Sequence, residues 1–305
     1  MKHGLASLTL LVVSGTACLS SGQAAPPSQQ SSDWKQVDLA LGRTGQMQAG
    51  DVYKFSLPRR DMHVVKDGVQ VASGLALGSW LAFKRMGTET MVMGDLVLAP
   101  DEVEPVMLRL QQEGIDQTAL HNHLLDETPR VMYMHIGGHG DAMHLAKGLA
   151  AALALTRTPG AVSAPAGPAP AVDLDVSAIQ KILGYSGKVN GGILQFSIPR
   201  AEKIFDGSME VPPAMGVATS INFQPTGGKR AAIAGDFVLL ADEVNPVIQA
   251  LRMNGIEVEA VHNHMLNDRP KLYFMHFWAN SDAVTLAKGL RAALDKTHSM
   301  TPVTQ

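Results

Sequence analysis

Apolar and polar positions alternate along Val52-Tyr53-Lys54-Phe55-Ser56-Leu57, the pattern of a strand with one buried face, and the run stops at Pro58. The pattern returns at Ile193-Leu194-Gln195-Phe196-Ser197-Ile198, stopped at Pro199-Arg200. Two further strands are predicted in each copy, over 79–84 and 90–98 in the first and over 218–223 and 231–240 in the second. The last strand of each copy carries a Gly-Asp pair, Gly94-Asp95 and Gly235-Asp236. The periodicity then becomes helical. Val103, Val106, Met107 and Leu110 share one face, as do Val244, Val247, Ile248 and Leu251. Asp101 or Asp242 is the expected cap, Glu102 or Glu243 suits the positive end of the helix, and Pro105 or Pro246 is tolerated in the first turn. Gly114 and Gly255 are expected to end these helices. A strand, a turn and a returning strand follow. A final helix is predicted from near Asp141 or Asp282, with Leu145, Ala146 and Leu149, or Leu286, Ala287 and Leu290, turned inward.

These units form an internal repeat. A short helix from Trp34 to Leu41, ending at Gly42, precedes the first copy, and Thr158 to Ala171 is almost entirely Pro, Ala, Gly and Ser, the composition of a linker. The expected fold class is α+β, with two tandem repeats, each an antiparallel sheet with helices packed on one face. The expected boundaries are repeat domains at 33–157 and 172–298, a linker at 158–171 and a tail at 299–305, the two units packing as a pseudo-symmetric pair.

The N-terminus differs in kind. Lys2 and His3 precede an apolar run from Leu5 to Val13 and small residues as far as Ala25, the layout of a signal peptide over 1–25, followed by a disordered leader at 26–32. Gly22-Gln23-Ala24 offers small residues to a signal peptidase. The alternative junction, Ala17-Cys18, would leave Cys18 to carry a lipid, although Gly15 stands where a bulky aliphatic residue is usual. Either reading places the protein in the periplasm or outside the cell, soluble or lipid-anchored at Cys18. Cys18 is the only cysteine of the chain, which excludes an intramolecular disulfide and a thiolate metal site with several cysteines. No later apolar run reaches membrane length, so no transmembrane helix is expected in the mature protein. A net charge of −3 without a basic run argues against nucleic acid as a partner.

The chemistry lies in the histidines, of which the chain has 11. His121, His123 and His135 recur as His262, His264 and His276, all at one offset, since 262−121, 264−123 and 276−135 each equal 141. Residues two apart on a strand share a face, so His121 and His123 are expected side by side, with His135 opposite His121 if the hairpin turns about Thr128. Three neutral imidazoles then converge in each repeat. Such a set with an open fourth position suits Zn²⁺, and Cu²⁺ or Fe²⁺ as well. Polar contacts within the sheet, or proton transfer, would use the same residues. Met132, Met134 and Met275 stand at odd spacings from the neighbouring histidine, which turns them away from the imidazoles and weakens copper. Asp95 and Asp236 are candidates for a carboxylate supporting the ligands, against a turn or bulge role beside their glycines. Glu127 is a candidate base in the first copy alone. His139 and His144 lack counterparts and are expected at the surface.

The strand ending Phe-Ser-Leu-Pro-Arg, the Gly-Asp strand, Asp-Glu-Val-Asn-Pro-Val, Ala-Val-His-Asn-His and Phe-Met-His-Phe together resemble the LppY/LpqO family of secreted or lipid-anchored bacterial proteins, in that order along both repeats. The resemblance implies the compartment and the domain unit. It implies no reaction, since the function of that family is unknown. Three readings remain open: a secreted tandem-domain metal-binding protein, a metal-dependent hydrolase or oxygenase, and a non-enzymatic envelope module binding a small molecule or partner. No Ser-His-Asp, phosphate-loop or dinucleotide fingerprint sharpens them.

Overall fold

The computed structural model describes Met1, residues 30–160 and residues 172–301. The expected signal peptide, both junctions, Cys18 and most of the linker lie outside the described residues. The first repeat runs α1 (Gln30–Leu41), β1 (Gln46–Gln48), β2 (Val52–Pro58), β3 (Val64–Lys66), β4 (Val69–Val71), β5 (Gly78–Met86), β6 (Glu89–Leu98), α2 (Pro100–Gln112), β7 (Asp116–His121), β8 (Met132–Gly140) and α3 (Ala142–Leu153). The second runs α4 (Val176–Leu183), β9 (Lys188–Asn190), β10 (Ile193–Pro199), β11 (Ile204–Asp206), β12 (Met209–Val211), a 3₁₀ turn (Pro213–Met215), β13 (Ala218–Gly227), β14 (Arg230–Leu239), α5 (Val244–Met253), β15 (Glu257–His262), β16 (Asp268–Arg269), β17 (Tyr273–Asp282) and α6 (Ala283–Leu294).

Each repeat builds one six-stranded antiparallel sheet, in the orders β1-β2-β5-β6-β8-β7 and β9-β10-β13-β14-β17-β15. Alternation along the central strands decides which face meets which neighbour. Val92, Leu96 and Leu98 of β6 pack with Val106, Leu110, Leu145 and Leu149 under the helices, while Met91 and Met93 face the opposite way. The second repeat does the same with Phe237, Leu251 and Leu286. The inner faces pack on each other, joining Val52, Ala82 and Met93 to Val217, Val238 and Phe274, and Val97, Leu124 and Tyr133 to Ala234 and Trp278. The result is four layers, helix, sheet, sheet, helix, related by a pseudo-twofold axis. Equivalent contacts cross in both directions: Lys54 donates to Ala214 O at 2.8 Å and its counterpart Gln195 donates to Gly74 O at 2.9 Å.

The helix starts correct two expectations. Asp101 does not cap α2; Ala99 occupies that position, and its N–H donates to Glu102 Oε2 at 2.9 Å. Glu102 also receives Arg59 Nη1 at 2.7 Å, and Arg59 in turn donates to Val97 O at 2.6 Å. Arg200, Val238 and Glu243 repeat this buried arrangement, and Asp242 makes no cap. The Pro-Arg that ends the first long strand therefore ties it to the helix start, which leaves Asp101 exposed to pair with Arg157. Gly114 and Gly255 both take φ +69, the left-handed conformation that ends a helix. Asp141 and Asp282 cap the last helices, accepting from His144 N and Thr285 N at 2.8 Å each.

Two boundaries also move. The first helix begins at Gln30, inside the stretch expected as a leader. The expected tail is pinned where it starts, because Met300 N donates to Pro199 O and Tyr185 Oη to Met300 O, both at 2.9 Å. Among the described residues no helix is long and apolar enough to cross a membrane.

Candidate metal centre

Asp95 and His135 sit opposite each other on β6 and β8, and Asp236 and His276 on β14 and β17. These pairings run without a shift along the whole of β6–β8 and β14–β17, so neither aspartate belongs to a turn or bulge. The glycine before each serves close packing instead. A Cβ on Gly235 would stand 2.0 Å from Ser220 O, and one on Gly94 2.8 Å from Trp80 O. The irregularity lies on the edge strands, between Gln117 and Ala119 and between Val258 and Ala260. On the turn side of that irregularity the register differs from the expected one by two positions, with His121 paired to Tyr133 and Ala119 to His135. A difference of two keeps parity, so His121, Tyr133 and His135 still share the inner face.

The two expected triplets are not separate sites. They merge across the pseudo-twofold axis into one cluster of six imidazoles between the sheets. His121 lies over His262 with ring centroids 3.7 Å apart, His123 over His276 at 3.8 Å and His135 over His264 at 3.6 Å. Nitrogens within 4.8 Å of one another group His121 and His123 with His276, and His262 and His264 with His135 and His121. Each His-x-His pair therefore meets the returning histidine of the other repeat. Within a repeat, His121 and His135 stay 5.2 Å apart between centroids. Asp95 groups with His123 and His135, and Asp236 with His264 and His276. The carboxylates thus lie among the imidazoles, with His264 Nε2 3.4 Å and His123 Nε2 3.8 Å from the nearer oxygen.

Hydrogen bonding fixes which nitrogens face inward. His276 Nδ1 donates to Gly235 O at 3.0 Å and His121 Nδ1 to Asn122 O at 3.1 Å, so each keeps Nε2 as a lone pair. His262 Nε2 and His264 Nε2 approach to 2.9 Å. Eight buried side-chain nitrogens and oxygens among the described residues lack a hydrogen-bond partner, and seven of them belong to this cluster: Asp95 Oδ1, Asp236 Oδ1, His262 Nδ1 and the Nε2 atoms of His121, His123, His135 and His276. Each such group costs about 1–3 kcal/mol when nothing meets it.

Burial also sets the charge states. It pushes His121 down to about 4 and, with His121 beside it, His276 down to about 3. The same desolvation, followed by the neighbouring imidazoles, holds His123, His135, His262 and His264 below the ordinary histidine range. Asp95 is raised to about 7 by burial, with Lys54 opposing, and Asp236 is raised by burial and by Asp95. The imidazoles are consequently neutral at pH 7, the state in which they act as ligands.

The remaining candidates lie elsewhere. Glu127 Oε1 accepts from Val131 N at 3.0 Å, so this carboxylate organises the loop, as Asp268 does from Leu272 N at 2.6 Å. His139 and His144 are exposed, and Met134 and Met275 pack in the helix-side cores. Sequence reasoning missed Tyr133 and Phe274, which stack on His123 at 3.3 Å and on His264 at 3.5 Å. Their signal was an aromatic residue two positions before each returning histidine, and hence on its face of the strand.

The solved structures that resemble the chain do so loosely. The trimeric bacterial microcompartment shell protein PduB matches with 13% identity and a TM-score of 0.21, covering 85% of this chain and 96% of its own. EtuB from Clostridium kluyveri matches with 10% identity and a TM-score of 0.19, covering 85% and 97%. Superpositions this loose transfer neither an activity nor a partner. Among curated proteins none matches the chain. The family model that matches corrects the resemblance to the LppY/LpqO family: its description is Domain of Unknown Function (DUF1259), and it fits twice, over residues 35–155 and 177–296. With both repeats accounted for by one domain, the chain belongs to the family of the Domain of Unknown Function (DUF1259).

Proposed function

We propose that this chain is an exported transition-metal-binding protein whose two repeats jointly hold metal in the six-histidine core, with Asp95 and Asp236 as carboxylate ligands. The observation that carries the reading is the concentration of unpartnered buried atoms there, seven of the eight among the described residues. Cations held by overlapping sets of three or four of these residues would meet such lone pairs, whereas a core kept only for packing has no use for them. The spacing supports the same reading. Two nitrogens each about 2.0–2.1 Å from one ion lie roughly 3 Å apart, and His262 and His264 present theirs at 2.9 Å. Neutral imidazole with carboxylate suits Zn²⁺ first and accommodates Cu²⁺ or Fe²⁺. Export rests on the N-terminal residues.

Binding is favoured over hydrolysis or oxygenation because the one candidate base, Glu127, is engaged by the Val131 N–H. Elemental analysis of the purified chain after Zn²⁺ reconstitution and desalting tests the proposal. Metal in stoichiometric amount is expected, and its loss in a variant combining His123→Ala with His264→Ala. Protein that stays metal-free after reconstitution overturns it.

A further inference from the structure

The histidines and aspartates of the core are matched between the repeats, but the residues beside them are not. Met93 corresponds to Ala234 and Met265 to Leu124, since 234−93 and 265−124 both equal 141. Through the preceding hairpin the offset is one shorter, 211−71, and there Met215 corresponds to Leu75. All of these positions are buried to 8% exposure or less on both sides of the pseudo-twofold axis. Aliphatic side chains therefore fill one side without thioethers, and packing alone does not call for three methionines on the other.

The three come from separate elements. Met93 precedes Asp95 by two positions on β6, Met265 follows His264, and Met215 ends the 3₁₀ turn. They line one small pocket together with His135 and His264, the pair of imidazoles stacked at 3.6 Å. Trp80 forms another wall, lying against Gly216, where a Cβ would stand 2.8 Å from its ring; Gly216 has φ +90, so the turn presenting Met215 is built on a residue without a side chain. Lys54 lies 4.2 Å from the Trp80 ring centroid and donates to Ala214 O, fixing the turn from outside. Thioether sulfur is a neutral, polarisable donor. It is matched to Cu⁺, and imidazole completes such a set, whereas Zn²⁺ takes nitrogen, carboxylate or thiolate in preference.

We infer that this pocket is a soft-cation position on one side of the core, taking Cu⁺ through the sulfurs of Met93, Met215 and Met265 with an imidazole nitrogen of His135 or His264. The inference rests on the reading of the core as a metal centre, and adds to it a second class of ion and an asymmetry between the repeats. The test uses the full chain under anaerobic conditions, loaded with Zn²⁺ or with Cu⁺ delivered from a chromophoric chelator, and X-ray absorption at each metal edge. Sulfur together with nitrogen is expected around copper, and nitrogen and oxygen alone around zinc. The volume-conserving variant Met93→Leu, Met215→Leu, Met265→Leu is expected to lose the sulfur shell and weaken Cu⁺ at least tenfold while taking up Zn²⁺ as before. Copper bound by nitrogen alone in the parent chain, a measurement independent of any variant, overturns the inference and leaves the zinc reading standing. Uptake of neither ion overturns both.

Discussion

The imidazoles of His123 and His276 lie 3.8 Å apart between centroids, tilted by 32°, although 153 positions separate them in the chain (276−123) and each belongs to a different repeat. The mirrored pair, His135 and His264, lies 3.6 Å apart and is stacked. Ligands shared in this way make the repeats interdependent. His276→Ala is expected to impair metal binding by His121 and His123, and His123→Ala to impair it at His276. Combining the two should cost much less than the separate losses added together, because both act on one ion. Metal titration of the two single variants and the double variant checks this. Additive losses would mean that each repeat binds on its own.

Because the ion would join both sheets, it should stabilise the folded chain by mass action. At a free concentration 100 times the Kd, one bound ion contributes about 2.7 kcal/mol. For a chain of this size that raises Tm by roughly 4–5 °C. Scanning calorimetry with Zn²⁺, then with a chelator in excess, is expected to show the rise and its reversal. A Tm indifferent to both would contradict a metal held between the repeats.

Stripped of metal, the protein should weaken in mild acid. His121 and His276 titrate near 4 and 3 in the folded state, against an ordinary histidine value of 6.5 in the unfolded chain. Their contribution is fully present above about pH 6.5 and is lost as pH falls toward 4, because the unfolded chain takes up protons that the core refuses. Asp95, raised to about 7, acts in the opposite sense: its contribution is present below the ordinary carboxylate value of 3.8 and is lost as pH rises toward 7. Six depressed imidazoles outweigh two raised carboxyls, so the net slope follows the histidines. Urea midpoints measured in chelator should fall steadily from pH 7 to pH 5, and a flat or rising series would refute this balance.

Much of the fold was legible because it is written locally. Alternation around Phe55 and Phe196, the helical face of Val106 and Leu110, and the stops at Gly114 and Gly255 depend only on neighbouring residues. The inward face of the histidines was legible for the same reason, since parity does not change along a regular strand. What stayed hidden depends on distant partners. The slip at Thr118 moved Ala119 opposite His135, and no periodicity predicts a bulge. The meeting of His123 with His276 follows from the packing of one sheet on another, as does the placing of Met215 and His135 around one pocket. Glu102 and Asp101 are adjacent acids at a helix start, and only Arg59, arriving from the end of another strand, decides which of them is buried.

That buried pair yields a prediction independent of metal. The Arg59 side chain is fully buried, donating to Glu102 Oε2 at 2.7 Å and to Val97 O, and Glu102 is 2% exposed. Arg59→Met removes the cation but leaves the Glu102 carboxylate, which still serves the Ala99 and Arg157 N–H groups. Breaking a buried pair from one side typically costs about 3–5 kcal/mol, and the lower part of that range is expected, because Arg157 Nε, 3.4 Å from Glu102 Oε1, still faces the carboxylate that Arg59 leaves. Adding Glu102→Gln to Arg59→Met removes that charge and keeps one acceptor oxygen for one of the two N–H groups, which bond to different oxygens in the parent, so part of the loss should return. Arg200→Met should behave alike in the second repeat, where Glu243 Oε2 accepts from Leu240 N at 2.7 Å. Denaturant unfolding of the four proteins, the parent, the two single-arginine variants and the compensated double, decides it. A double variant no more stable than Arg59→Met alone would show that lost packing of the arginine, and not the stranded carboxylate, carries the cost.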